Sequence, residues 1–585
     1  MELIFIWIGN DARALFHDQL ITFSNKFLVE YNSIRKELQI KKNKYYINIY
    51  SSYKAISNLT AIVGNNGAGK TSLLKYIIDF LVDDNHIELK KSLSEGLIGL
   101  YDKKHNKIYV YQFNENIKIV KSNITNVKLL NFDKNSYLHI DNLNILFLSN
   151  STDIEIRETN GTFININARS VIETLESYFS DKDGYYGHWD SRSFEEFLYL
   201  KYFSYLNKNN IKFCGKSYSQ VELSILSYYE DLGCDRILKK CDLNFFKKIE
   251  GILIDNNTIY INTTADILIK NLIYSFCAII TPIDLLDNLT PSSISKIIDN
   301  AISILKKFCQ NINNLNADGW EQFYNELTDC FQLFGLIKRQ KIEKNIDFII
   351  RFFKLYQKKE IQVNTYNKIT IDPGTLYDLL LDDKDDILQF AAQCLIITNF
   401  HFSSGEKALL NFFAWINSIN ILTKVNNDFH SNNNYLILID EIDLYAHPLW
   451  QRQLLKSLLS QLCQEYKKKN IQLIFTTHSP MLLTDVPKDN TIFIKKYDNN
   501  SKILQRDSRE QTLGANIYDL YNDAFFLEEL FIGDLSEDFI KKLIYDIKSL
   551  KKDSNNNLYN KILLIGDKLV QFKLLEMYRK KFISP

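Results

Sequence analysis

Apolar and polar positions along the chain fall into three regimes, each with its own spacing. Residues 1–60 carry short apolar runs at 3–8, 20–23, 27–31, 38–40 and 45–50, with polar turns between them. Such runs read as strands, and with no crossover helix to separate them they are expected to pair antiparallel. Strand-like runs follow at 59–63, 108–111, 117–119 and 144–148. From about 165 to 396 the spacing becomes helical, with helices expected at 171–179, 221–229, 294–308, 320–334 and 376–396. None keeps a heptad for three or four repeats, which excludes a long coiled-coil arm. Strands and helices alternate again from 400 to about 500. Residues 505–585 read as mainly helical with one late strand at 562–565. The pattern predicts an α/β fold: a mixed sheet with an antiparallel N-terminal lobe, interrupted by a large, mainly α-helical insertion. The expected divisions are 1–160, 161–396, 397–505 and 506–585.

The chain's 585 residues are too many for one core, and 46% hydrophobic with 24% charged residues is ordinary for a globular protein. Its 70 basic and 70 acidic residues cancel, so no whole-protein field draws in nucleic acid. Basic clusters at 338–341 and 467–469 read as solvated helix ends. The eight cysteines are scattered with no C-x-x-C and no histidine spaced to complete a zinc site, which points to reduced thiols in the cytoplasm. No apolar run approaches the ~18 residues of a membrane span, and no membrane partner is expected.

Chemistry enters at Gly64-Asn65-Asn66-Gly67-Ala68-Gly69-Lys70-Thr71, which matches G-x-x-x-x-G-K-[ST] at each fixed position between an apolar strand and a helical stretch. Glycines let successive backbone N–H groups turn inward around phosphates, and the following helix adds the positive end of its dipole. Asn65, Asn66, Gly67, Ala68, Gly69, Lys70, Thr71 and Ser72 are therefore expected to hold a nucleotide, ATP. Lys70 would meet the β- and γ-phosphates, and the Thr71 hydroxyl would reach Mg²⁺. A buried strand at 435–439 ends in Asp440-Glu441, where Asp440 would hold Mg²⁺ and Glu441 would polarise the attacking water. Another, at 473–477, ends in His478, placed for a neutral imidazole to reach a γ-phosphate. Ser403-Ser404-Gly405-Glu406 opens an apolar helix. Ser followed three residues later by Glu forms a capping box, and free N–H groups at a helix start also suit phosphate, here ATP of another subunit.

In this order the motifs resemble those of the ABC-type ATPases of the SMC, RecF and OLD families, over about 1–150 and 396–500. The resemblance implies a P-loop ATPase head. Matched to L-S-G-G-Q/E, Phe402 takes the Leu place, Ser403 the Ser, Ser404 the first Gly, Gly405 the second and Glu406 the last, so the signature departs by one residue. It implies a head-to-head dimer or higher homo-oligomer, in which Ser403 and Gly405 close on the partner's γ-phosphate. Ala446-His447-Pro448 stands at the D-loop, and Ser149-Asn150 at about the place of a Q-loop. Thr512-Leu513-Gly514-Ala515-Asn516-Ile517-Tyr518-Asp519-Leu520, then Phe525-Phe526 and Phe531-Ile532-Gly533, is similar to a segment of bacterial ATPases of anti-phage systems, the Septu ATPase PtuA among them. That likeness implies an ATP-dependent sensor or regulator acting with a separate effector nuclease, with DNA or a phage component as a further partner. Residues 500–585 hold no D-x-D and are too few for a TOPRIM nuclease, and too few histidines follow the signature for an HNH nuclease. The alternative is a RecF/SMC-like repair or recombination ATPase acting directly on DNA.

Overall fold

A computed structural model describes residues 1–9, 15–81, 95–113, 117–122, 126–132, 143–149, 163–165, 191–213, 217–225, 358–365, 368–380, 395–397, 402–425, 432–444, 446–497, 500–504, 506–526, 533–550, 552–553 and 556–583, with isolated positions between 304 and 355. The chain divides into two compact units, Met1–Ala515 and Asn516–Pro585.

The first unit is organised on a seven-stranded sheet, in spatial order Phe163–Asn165, Leu143–Ser149, Asn434–Asp440, Asn470–Thr476, Ile56–Gly64, Thr491–Tyr497 and Asn500–Leu504. All neighbours are parallel except the last pair, an antiparallel hairpin. Strands Leu143–Ser149 and Asn434–Asp440 are buried at every position, the continuous apolar pattern of a sheet covered on both faces. One face is covered by the helix Lys70–Leu81, whose Leu73, Leu74, Ile77 and Phe80 enter a core with Ile62, Leu438, Ile474 and Ile494.

A second sheet, in order Gln19–Thr22, Glu2–Ile8, Gly96–Asp102, Lys107–Phe113 and Val127–Phe132, forms the N-terminal lobe together with a three-stranded sheet of Phe27–Asn32, Glu37–Lys42 and Lys118–Ser122. Pairing within residues 1–60 is antiparallel, as expected, while the last pair in each of these sheets is parallel. Glu2–Ile8 serves both faces of its sheet. Leu3, Ile6 and Ile8 join the core under the Lys70–Leu81 helix, while Ile4, Phe5 and Trp7 join a second core with Phe27, Leu38 and Ile40. A register shift between Leu3 and Phe5 is what places two successive residues on one side. The Gln472 side chain binds this strand like an extra backbone unit: its amide accepts from Leu3 N at 2.6 Å and donates to Leu3 O at 2.8 Å, fixing lobe to parallel sheet. Residues 45–50 are not a strand. Tyr45 and Ile47 are exposed with nothing to pair against, and the segment forms turns.

The region read as a helical insertion contains a sheet. Ile361–Thr365, Lys368–Ile371, Val221–Ile225 and Leu395–Ile397 form four antiparallel strands, where the start of the helix expected at 221–229 and the end of the one expected at 376–396 would lie; 226–229 and 381–394 lie outside the described residues. The cause is period-two burial: Val221 and Leu223 face inward on either side of Glu222, as do Ile369 and Ile371 around Thr370. Helices Ser191–Lys208 and Pro373–Leu380 pack against each other, and the first also against Ser404–Val425. The helix expected at 171–179, nearly all of the one at 294–308, most of the one at 320–334 and the basic cluster at 338–341 lie outside the described residues. Among the described residues, no helix is long and apolar enough to cross a membrane.

The second unit has helices Ile517–Asp523, Asp534–Ser549, Asn557–Leu563 and Lys568–Phe582. Leu543, Ile547, Leu558, Ile562, Leu574 and Tyr578 form its core. The strand expected at 562–565 is instead the end of a helix: Ile562 and Leu558 are buried four residues apart, while Leu563 and Leu564 face solvent.

Candidate functional site

Apart from the signature, the predicted site residues lie where strands end, or where the helix Lys70–Leu81 begins, at the carboxyl edge of the parallel sheet, where ligands of such sheets collect. The loop after Ile56–Gly64 turns on Gly67 (φ 68°) and Gly69 (φ 89°), left-handed conformations that suit glycine. Gly64 is needed for a different reason, since a Cβ there would lie 2.1 Å from the carbonyl oxygen of Ile494 on the neighbouring strand.

Lys70 is buried and donates to Gly64 O at 3.1 Å and Asn65 O at 2.9 Å, so its ammonium is drawn back over the loop. Burial lowers its pKa to about 8, opposed by the charges of Glu441, Asp440 and Asp443. Thr71 Oγ1 donates to Asp440 Oδ2 at 2.8 Å, and Thr476 Oγ1 donates to Asp440 Oδ1 at 2.6 Å. The same Thr476 oxygen accepts from Glu441 N at 2.7 Å, which holds Glu441 in a left-handed conformation (φ 49°) beside Asp440. The structure thus joins Lys70, Thr71, Asp440 and Glu441 in one site.

Burial, reinforced by Asp440 and Asp443 and opposed by Lys70, raises the Glu441 carboxyl above its ordinary pKa. Burial and the Lys70 charge lower the His478 imidazole below its ordinary pKa, against the carboxylates of Asp443 and Asp440, which favours its neutral form. Asp443 positions that histidine: its Oδ1 accepts from Thr477 Oγ1 at 2.6 Å and from His478 N at 3.3 Å. Thr71 and Asp440 offer hard oxygen donors suited to Mg²⁺. No cluster of three or more His, Cys, Asp or Glu side chains disposed to hold a metal occurs among the described residues, so a cation here would complete its shell with water and phosphate.

The capping box at Ser403 forms. Ser403 N donates to Glu406 Oε2 at 2.9 Å, and Glu406 N to Ser403 Oγ at 3.3 Å, at the start of helix Ser404–Val425. Ser403 and Ser404 are exposed, and no described hydrogen bond joins this turn to Lys70 or Asp440 of its own chain. Phe402 lies among Tyr199, Phe203, Phe213 and Tyr218, which ties the signature to helix Ser191–Lys208. Ser149 ends its strand in register with Asp440, while Asn150 lies outside the described residues. His447 caps helix Pro448–Glu465 by accepting from Leu449 N at 3.3 Å.

Sequence reading missed Thr476 and Asp443. Their signals were a hydroxyl pair just before His478 and a second aspartate three residues after Asp440.

This geometry defines a P-loop ATPase class of site. Residues 313–484 match the family model described as "AAA domain, putative AbiEii toxin, Type IV TA system", a stretch that contains the signature, Asp440, Glu441 and His478 and lies beyond the P-loop. Two relatives are "Retron Vc95 probable ATPase" of Vibrio cholerae serotype O1 biovar El Tor, 34% identical over 108 residues, and "Retron Ec83 probable ATPase" of Escherichia coli, 37% identical over 93 residues. The first alignment covers 18% of this chain and 20% of that protein, the second 16% of each. The chain thus spans a fifth or less of the length of these relatives. Together the family match and the relatives' names support ATPase activity.

Proposed function

We propose that this chain is an ATP-binding and ATP-hydrolysing ABC-type ATPase, a sensor and regulator in a bacterial anti-phage defence system that controls a separate effector nuclease. The observation that carries the ATPase reading is the Thr71–Asp440 hydrogen bond, which joins the end of the P-loop to the acidic strand tip.

In this reading the loop N–H groups from Asn65 to Ser72 and the Lys70 ammonium hold the phosphates. Thr71 and Asp440 would hold Mg²⁺, whose charge would offset that of the β- and γ-phosphates. Glu441, its carboxyl raised above its ordinary pKa by burial, takes a proton from the attacking water, and His478 contacts the γ-phosphate. The exposed turn Ser403, Ser404, Gly405 and Glu406 serves a second copy of the head, so that ATP lies between two protomers.

Residues 1–160 and 397–505 supply the head, whose sheet gains the edge strand Phe163–Asn165 from 161–396; the rest of 161–396 is inserted as the surface for the effector, with 506–585 as an extension. The names of the retron relatives and the likeness of the tail to PtuA-type ATPases support the defence role. The absence of a membrane-length apolar helix among the described residues is consistent with work in the cytoplasm.

The test is plaque formation on cells carrying this gene with its native neighbours, compared with the same cassette bearing Lys70→Ala. The expected result is protection lost in the variant. Protection retained in the variant, or DNA-damage sensitivity without protection, would contradict the proposal.

A further inference from the structure

The hairpin that closes the parallel sheet runs on past the strand that precedes the P-loop. Thr491 to Ile494 pair in register with Ala61 to Gly64, so the residues after Ile494 lie beside the loop itself. Strand alternation puts Lys496 on the same face as Ile494, which is buried in the core that also holds Ala68 and Leu73. The Lys496 ammonium lies 3.6 Å from where a Cβ on Gly67 would stand. Directly across the hairpin from Lys496 is Ser501, whose Oγ lies 3.6 Å from the corresponding position on Gly69.

An exposed ammonium and a buried hydroxyl thus flank the two left-handed glycines of the loop. Ser501 is 4% exposed, and its hydroxyl has no hydrogen-bond partner among the described residues. Phe16 Cζ stands closer to the same position on Gly69, at 3.3 Å, so this hydroxyl is enclosed against the loop, while the Lys496 ammonium is the group open to a ligand.

We propose that Lys496 is a nucleotide ligand, making the hairpin a third wall of the site. Lys496 Nζ pairs with an oxygen of the phosphate chain. The inference rests on the P-loop reading above. Lys495 supplies the internal control: alternation turns it to the other face, where its ammonium lies 5.9 Å from the centre of the Tyr497 ring.

The experiment is calorimetric titration of the full chain with ATP and Mg²⁺ at low ionic strength. Lys496→Met is expected to weaken binding about tenfold, the effect of losing one charge-assisted hydrogen bond. Lys496→Arg should recover most of the loss, Lys495→Met should bind as the unmodified chain does, and added salt should shrink the Lys496→Met effect. Lys496 is exposed, so its replacement leaves folding intact. ATP binding unchanged in Lys496→Met but lost in Lys70→Ala would overturn the hairpin's role and leave the P-loop reading standing. No ATP binding by the unmodified chain would overturn both.

Discussion

Thr71 and Asp440 stand 369 residues apart in sequence and 2.8 Å apart in space, hydroxyl to carboxylate. Thr476 occupies the other oxygen of Asp440, so the carboxylate is held from both sides. Asp440→Asn keeps the shape but removes the charge and one acceptor. ATP hydrolysis in Mg²⁺ should fall about a hundredfold or more, with the chain still folded by circular dichroism. Hydrolysis near the unmodified rate would exclude Asp440 from the cation site.

Glu441 sits beside that carboxylate with its own pKa raised by burial and by Asp440 and Asp443. Glu441→Gln should retain ATP while hydrolysis drops by about a hundredfold or more. With ATP and Mg²⁺ it should accumulate as a dimer in size-exclusion chromatography. An unchanged monomer would count against ATP shared between two heads.

The buried Lys70 titrates near 8 in the ligand-free chain, against its usual 10.5. Bound phosphates favour its charged form and raise that value. Above about pH 8 the free chain has lost a proton that the complex keeps, so binding takes one up and ATP affinity falls as pH rises. Below about pH 7 the lysine is charged in both states and contributes no slope. Titrations from pH 7 to 9.5 check this, and affinity that rises over that range would contradict it.

Gly64→Ala tests the close approach of two strands. A Cβ 2.1 Å from the Ile494 carbonyl oxygen requires the strands to part, at a cost of about 3 kcal/mol. The variant should melt several degrees lower and bind ATP weakly. A melting curve that matches the unmodified chain would show that the hairpin yields freely.

Phe402 anchors the signature turn in a cluster of four aromatic rings. Phe402→Ala should cost about 2 kcal/mol in urea unfolding, less than a fully buried ring because Phe402 is only partly covered. It should lower hydrolysis more than ATP binding, since the turn rather than the P-loop is disturbed. Equal loss of both would place the turn in the protomer's own nucleotide site.

The P-loop, the Asp440-Glu441 pair and His478 were legible because each combines a long apolar run with polar residues at fixed spacing, a local pattern. Thr476 was hidden because its significance is a contact with Asp440 across two neighbouring strands, and Lys496 because its neighbour Gly67 is more than 400 residues away. The misread segments share another cause. Val221 to Ile225 and the run at 562–565 are short apolar stretches whose period is ambiguous, and packing partners decided them: Lys368–Ile371 drew the first into a sheet, while Leu543 and Ile547 took Ile562 into a helical core. Residues 45–50 have strand-like composition but no neighbouring edge, and pairing rather than propensity makes a strand.

The most direct test of the account is phosphate release from ATP by the purified chain with Mg²⁺, run beside Lys70→Ala and Glu441→Gln. The account predicts turnover by the unmodified chain, no binding by Lys70→Ala, and binding without turnover by Glu441→Gln. Equal phosphate release from all three proteins, or no ATP bound by the unmodified chain, would contradict it.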